Sequence, residues 1–496
     1  MGQNLAESKL FVGGSECPAE SGATYEIYNP ARPQELVGHA ALASVNDVNM
    51  AVSAANAAFA DWSSKTVQER AKYLNEVAKV LSESPSLEGL SQLFTREHGK
   101  VHSETFSELT RFGSRFELVA SFADRLASTM DYPADPKWSP YDTQIIQQPR
   151  GVAALVIPWN WPLSILATKL PHALLAGNTV VVKLAQNSAI VPSQMLRLVA
   201  EKLPKGVLNI ITGSARQIGD ALVGHPKVRT VNFTGSIEVG QHVMRVASEN
   251  LSRVTLELGG NDPAIVLPDA DLNNQTFQKM YKGVFTSSGQ VCMAIKRLFV
   301  HASRYDEVVE GMLSACNATV VGDGTLKETT MGPVNNAAQL KIVNELIAQA
   351  SLKGAEVIEC GQIPDEDLYD GGGYFKRPTL VLNADPDLSV VKEEQFGPVL
   401  PIIKYNTEDE AIKLANDGVF GLCSSVWTSD SDRGLRIAKQ IEAGYTFLNN
   451  HGATALDGRA PFGGFKYSGI GRNLGYEGIL GFLEAHSLSG PAGSIF

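Results

Sequence analysis

The sequence is poor in cysteine. Its five residues, Cys17, Cys292, Cys316, Cys360 and Cys423, are far apart and form no CxxC pair. A scattered, odd-numbered set excludes a disulfide framework and a structural zinc site, so no metal centre is expected, and it fits a reducing compartment. Long apolar runs are also missing: nothing approaches the roughly 18 residues of a membrane span. The first residues, Met1-Gly-Gln-Asn-Leu-Ala-Glu-Ser-Lys9, lack the charged-then-apolar pattern of a signal peptide. Gly2 is followed by Ala6 and Glu7 where a myristoylation motif wants a small hydroxyl residue. Nor is there a basic block, and a net charge of -11 with a pI near 5.4 argues against a nucleic-acid surface. The expectation is a cytoplasmic globular protein with no nucleic-acid or membrane partner. Its 496 residues give ample chain for several domains.

What is present is regular. Ser44-Val-Asn-Asp47 and Thr66-Val-Gln-Glu69 read as capping starts of two packing helices. Residues 125–150 differ in texture: Pro133, Pro136 and Pro140 flank a strand-like 143–148, which suits a projecting hairpin. From 151 onward, apolar strands over 152–157, 179–183, 207–211, 228–233 and 253–258 alternate with helices over 163–175, 192–203, 215–223 and 237–246. That alternation predicts a parallel, doubly wound sheet with ligands at the carboxyl ends of its strands. Those ends are polar: Pro158-Trp-Asn160, Lys183, Thr212-Gly213, Thr234-Gly-Ser236 and Glu257. The second half repeats the texture more loosely, with strands over 297–301, 355–360, 379–382, 400–405, 425–428 and 445–449. Two α/β domains with a site between them are predicted.

The chemistry gathers on two stretches. Cys292 sits on the small-residue turn Thr286-Ser-Ser-Gly-Gln-Val-Cys292, and Glu257 ends an apolar strand in Leu256-Glu-Leu-Gly-Gly260. A thiolate attacks an electrophilic carbon, and a carboxylate base activates the water that releases the product. Taken alone, both residues also read as a buried cysteine and a strand-end glutamate. Phe233-Thr-Gly-Ser-Ile-Glu-Val-Gly240 is a strand, a glycine turn and a helix start, which turns backbone N–H groups toward a pyrophosphate. Lys183 suits a ribose or phosphate, or else a solvated strand terminus. The Asn160 amide could donate to a developing oxyanion beside the Cys292 N–H, or simply serve a turn.

Together these residues resemble the aldehyde dehydrogenase superfamily over essentially the whole chain. The motifs are Pro158-Trp-Asn-Trp-Pro162, Val180-Val-Val-Lys183, Phe233-Thr-Gly-Ser236, Leu256-Glu-Leu-Gly-Gly260, Gly289-Gln-Val-Cys292, Glu393-Glu-Gln-Phe-Gly-Pro398 and Pro461-Phe-Gly-Gly464. The resemblance implies a Rossmann-like cofactor domain (1–124 and 149–258), a catalytic domain (259–472) and a small β oligomerisation element (125–148 and 473–496) that builds a homodimer or homotetramer. It implies Cys292, Glu257 and Asn160 as nucleophile, base and oxyanion donor in NAD(P)-dependent oxidation of a small-molecule aldehyde to the acid. Ile157, Pro158, Trp159, Lys183, Gln186, Gly213, Arg216, Gly219, Phe233, Gly235, Ser236, Leu258, Glu394 and Phe396 would hold NAD or NADP. Trp161, Ile165, Thr168, Val291, Met293, Leu456 and Phe462 would line the aldehyde tunnel.

Several positions depart from the family pattern. Gln186 stands where NAD-preferring members often carry a glutamate, and Arg216 lies near the adenosine end, so both NAD and NADP are expected to serve. Asn261 replaces a frequent lysine. Thr168, where an aromatic is frequent, predicts a roomy pocket whose apolar walls suit aliphatic or aromatic aldehydes. Arg459 or Arg111 would instead anchor a carboxylated substrate such as a semialdehyde, though either equally reads as a surface salt-bridge residue, and His451 reads as a loop residue. A catalytically silent structural relative is the remaining alternative; it need not keep Cys292, Glu257 and Asn160 together.

Overall fold

Alternation with period two builds the first sheet. In the strand Val152–Val156, Val152 and Ala154 enter one apolar core while Ala153 and Leu155 enter another, so both faces are covered. The computed structural model describes residues 5–495; residues 1–4, Gly2 among them, and Phe496 lie outside the described residues. Five strands run parallel in the spatial order Arg253–Glu257, Val228–Thr234, Val152–Val156, Thr179–Lys183, Leu208–Ile211. Chain order reverses between Val152–Val156 and Val228–Thr234. In a doubly wound sheet that reversal opens a crevice at the carboxyl ends. Antiparallel strands close the edges: Gly469–Ile470 at one, Leu10–Val12 and Ser15–Cys17 at the other.

The second sheet has seven strands: Glu356–Glu359, Thr379–Leu382, Val399–Tyr405, Ile295–His301, Asp262–Val266, Cys423–Trp427 and Tyr445–Leu448. All are parallel except the first. The link Leu258–Gly259–Gly260–Asn261 joins the last parallel strand of sheet one, ending at Glu257, to Asp262, the start of an interior strand of sheet two. The carboxyl edge of one sheet therefore faces the amino edge of the other.

Three expectations change. The single helix over 163–175 is two, Pro162–Ala167 and Leu170–Ala176. Pro171 lacks an N–H, and its ring disfavours helical geometry at Leu170, so the chain breaks at Thr168 and Lys169. The strand Asp262–Val266 was not anticipated, because Pro263 argues against a central strand. A register shift at Asp262/Pro263 accommodates the missing donor. The tail expected in the oligomerisation element from 473 starts later. Helix Gly475–Leu480 and its flank bury Tyr476, Ile479 and Phe482 in the first core, and only Leu483–Pro491 pairs with the hairpin strand Tyr141–Pro149. Asp131–Pro133 completes that small sheet.

Among the described residues, no helix is long and apolar enough to cross a membrane, and no cluster of three or more His, Cys, Asp or Glu could hold a metal.

Candidate active site

The turn that carries Cys292 is strained. Ser287 and Ser288 have φ of 53° and 57°, and Gly289 follows at 74°. Left-handed backbone costs a non-glycine residue about 1–3 kcal/mol and persists only when its surroundings hold it. Here they do. Ser287 N–H donates to Glu104 Oε1 (2.8 Å), Ser288 Oγ to the Gly332 carbonyl (2.8 Å), and Gln290 Nε2 to the Ser287 carbonyl (2.9 Å). A Cβ on Gly289 would collide with the Gly397 carbonyl.

Beyond the turn, a cavity of about 570 Å³ is lined by Cys292, Glu257 and Asn160 together. All seven residues expected in the aldehyde tunnel line it too: Trp161, Ile165, Thr168, Val291, Met293, Leu456 and Phe462, with Leu258 beside them. Asn160 Nδ2 donates to the Gln290 carbonyl (3.0 Å), which fixes the amide and leaves its second N–H uncommitted. Among the described residues the Cys292 N–H has no acceptor.

Glu257 is 5% exposed, and among the described residues neither carboxylate oxygen has a hydrogen-bond partner. Burial pushes its carboxyl up to about 8, against the opposing charges of Lys169 and Arg472. Cys292 is half-buried, yet protein surrounds it closely enough that desolvation pushes the thiol up to about 12, with Lys296 pulling the other way. As it stands the pair is a thiol next to a base, ready for the thiol proton to leave as the sulfur bonds to carbon.

Three residues of the network beside Glu257 were not singled out in the sequence: Lys169, Asn232 and Asn473. Lys169, fully buried, donates to Asn232 Oδ1 (2.5 Å), and Asn232 Nδ2 donates to Asn473 Oδ1 (2.7 Å). Asn473 and Thr234 line the cavity, and Asn473 Nδ2 and Thr234 Oγ1 have no partner. Burial lowers the Lys169 ammonium to about 8, opposed by Glu257 and Cys292. A lysine in the apolar run 163–175 was the available signal. His451, read as a loop residue, is buried against the catalytic turn, with Nε2 3.1 Å from the Met293 carbonyl. Asn261 anchors the inter-sheet link by donating from Nδ2 to the Val391 carbonyl (2.7 Å).

The residues expected to hold a cofactor sit along the carboxyl edge of sheet one. Val156 and Ile211 flank Lys183 in register, Ile157 N–H donates to the Lys183 carbonyl (3.0 Å), and Gly235 N–H to the Glu257 carbonyl (3.1 Å). Lys183 is 4% exposed and not a solvated terminus. It makes no hydrogen bond or ion pair among the described residues, and burial lowers it to about 8. A buried ammonium without an acceptor fits vicinal ribose hydroxyls. Ser236 caps the helix Ile237–Ser248 by accepting from Val239 N–H (3.3 Å), which leaves its own hydroxyl hydrogen to donate. Phe233 and Leu258 pack closely enough that a side chain at Gly235 or Gly240 would collide with them. Gly213 takes φ 137°, while Arg216 and Gly219 lie on the helix Ala215–Val223. Gln186 and Arg216 are exposed. Trp159, which follows Pro158, meets Phe396 edge-on at 5.6 Å. Glu394, expected at a ribose, accepts from Gly260 N–H (3.0 Å) and lies 3.8 Å from Lys296 Nζ, so it also braces the inter-sheet link.

A doubly wound sheet whose ligand edge opens on a cavity holding a thiol and a carboxylate is the architecture of an oxidoreductase. Comparison with known proteins narrows the class. The sequence model of the Aldehyde dehydrogenase family matches residues 17–488, and the chain belongs to that family. It is 36% identical over 462 residues to an alpha-ketoglutarate semialdehyde dehydrogenase of Haloferax volcanii, covering 93% of this chain and 94% of that protein. It is 34% identical over 488 residues to aldehyde dehydrogenase 1A1 of Homo sapiens, covering 97% and 94%. The crystal structure of betaine aldehyde dehydrogenase from Staphylococcus aureus in complex with NAD+ superposes with a TM-score of 0.92 at 29% identity, covering 99% of this chain and 96% of that one.

Proposed function

We propose that this chain oxidises an aldehyde to the carboxylic acid with NAD+ or NADP+, through a thioester on Cys292 hydrolysed by water that Glu257 activates. The observation that carries the reading is the shared cavity of Cys292, Glu257 and Asn160, with both Glu257 oxygens unpartnered. Cys292 Sγ bonds to the carbonyl carbon as its proton leaves to Glu257. The free Asn160 N–H and the Cys292 N–H hold the resulting oxyanion. The bound nicotinamide supplies the two-electron sink for the hydride. The oxyanion collapses to a thioester. Glu257 first passes the thiol proton to solvent and is ionised again. It then takes a proton from water as the water oxygen bonds to the acyl carbon, and the C–S bond breaks as that proton passes to sulfur, returning the thiol and releasing the acid. Lys183 would hold the adenosine ribose and Ser236 the pyrophosphate. With Gln186 neutral and Arg216 nearby, NADP+ meets no repulsion, so we hold both cofactors to be used. The small sheet that ends at Pro491 would join copies into a dimer or tetramer.

Relatives carry names for quite different aldehydes, so kinship does not choose the substrate. The walls next to Cys292, from Trp161, Ile165, Met293 and Phe462, favour apolar carbon beside the carbonyl.

The test is reduced-cofactor formation with each cofactor, for the parent and for Cys292→Ala. The expected outcome is turnover in the parent, none in the variant, and retained cofactor binding by fluorescence quenching in both. Turnover by Cys292→Ala would remove the nucleophile assignment, and an inactive parent would favour the silent alternative.

A further inference from the structure

The cavity continues away from Cys292 along one stripe of the helix His102–Ala120. Glu104, Ser107, Glu108, Arg111, Phe112 and Arg115 line it at steps of one helical turn, over about 16 Å at 1.5 Å per residue. The two ends of that stripe differ in one respect. The acids at the near end are committed: Glu104 to Ser287 N–H, and Glu108 to Lys100 (2.5 Å) and to the N–H groups of Leu163 (2.9 Å) and Ser164 (3.0 Å). The cations at the far end are not. Arg111 and Arg115 make no ion pair and no side-chain hydrogen bond among the described residues, and neither does Lys282, which lines the same cavity.

Two further facts point the same way. Asp457, the acid whose charge reaches Arg115, is already forked by Arg459, with Nε 3.0 Å from Oδ1 and Nη2 2.6 Å from Oδ2. Arg459 itself has a 76% exposed side chain and does not line the cavity, which corrects its expected role as an anion anchor. A side chain at Gly458 would collide with the Arg115 guanidinium, so the glycine makes room for that group. Burial and the neighbouring charge of Arg111 both push Arg115 below its ordinary range. Arg111 is exposed and Arg115 half-buried. Two guanidiniums one turn apart that make no ion pair among the described residues, with Asp457 already committed to Arg459, form a site that a planar anion would complete.

We infer that the cavity takes an aldehyde carrying a carboxylate at its far end, held by Arg111 and Arg115 and separated from the carbonyl by an apolar span. This rests on the dehydrogenase reading above and names its substrate class. It replaces the neutral aliphatic or aromatic aldehyde expected from the tunnel walls alone. Phe112, Trp161, Ile165 and Leu456 supply the apolar span.

The test uses matched pairs: glutarate semialdehyde against pentanal, and adipate semialdehyde against hexanal. They are assayed with the parent, Arg111→Met, Arg115→Met, the double variant and Arg115→Lys. Charge-assisted hydrogen bonds imply that kcat/KM for the carboxylated partner exceeds that for the neutral one by about 10-fold or more, through KM. Each methionine variant should cut that ratio, the double variant should abolish it, and lysine should restore part. Titration calorimetry with glutarate reads the same subsite without turnover: saturable binding in the parent, lost in the double variant. A parent that turns over both members of each pair equally and binds no glutarate overturns the subsite and leaves the dehydrogenase intact. No turnover with any aldehyde overturns the dehydrogenase, and arginine-dependent glutarate binding still decides the subsite.

Discussion

A buried carboxylate without a hydrogen-bond partner among the described residues costs the fold stability, and the same isolation makes it a strong base. Glu257 has its carboxyl pushed up to about 8 by burial. The proposed role needs the ionised form, so the hydrolysis-limited rate should rise with pH through about 8 on its acid limb. Glu257→Gln should remove that limb and lower kcat by about 10²–10⁴-fold. A pH–rate profile of the two proteins checks both. The linkage has the opposite sign for stability. Because the folded carboxyl lies above its ordinary 4.5, the folded chain holds the proton that the unfolded chain releases, and stability falls as pH rises from 4.5 toward about 8. Glu257→Gln should therefore melt higher than the parent above about pH 8 and close to it below about pH 4.5. Lys169 works on the same carboxyl from the other side. Replacing it with methionine removes a cation that favours the ionised form, so the acid limb should move to higher pH. Cys292, Glu257 and Asn160 were legible because each sits in a short motif whose residue types carry the chemistry. Lys169, Asn473 and Arg115 were not. Asn473 and Arg115 reach the cavity, and Lys169 the network beside it, from elements far apart in the chain, and beyond the presence of a lysine in the apolar run 163–175 nothing local marks them as inward-facing.

At the scale of elements, the helix His102–Ala120 is the brace of the site. Glu108 caps the helix that starts at Pro162 and pairs with the buried Lys100, which lies over the Trp161 ring at 3.8 Å. Glu104 holds the strained turn before Cys292. Glu108→Ala leaves a buried ammonium without its partner and two helix N–H groups uncapped. It should cost about 3–5 kcal/mol, read as a lower denaturant midpoint. It should also lower kcat, because the segment that carries Asn160 loses its anchor. The strands of sheet one were legible in the sequence, since each is a short apolar run bounded by turn residues. Two elements of the site were not. The helix over 163–175 has continuous apolar spacing, and only Pro171 tells of the break that aims Lys169 at Asn232. The strand Asp262–Val266 opens with Asp-Pro, a turn signal. Its place in the interior of sheet two depends on a bulge and on Asp262 Oδ1 accepting from Cys423 N–H (3.0 Å), a partner on the neighbouring strand but distant in the chain.

At the scale of the molecule, the small sheet is the part left without a cover. Leu483–Pro491 is its edge strand, exposed along most of its nine residues, and Glu484 ties it to sheet one through Arg150, just before the strand Val152–Val156, and through Arg253 (3.1 Å). An edge of that length offers a row of unpaired backbone groups. Proteins usually blunt such an edge with lysine, proline or a bulge, and this strand has none before Pro491. Trp138, 81% exposed, and Tyr141 project from the same hairpin. A second copy pairing along this strand would satisfy the backbone and bury the aromatics, which is the assembly proposed above. Ser487→Pro with Leu488→Asp should therefore break the assembly while the cavity, built from other elements, keeps its geometry. Sedimentation velocity should show the parent as a dimer or larger and the double variant at half its mass. A monomeric parent, or a variant of unchanged mass, would mean that this strand is not the contact between copies.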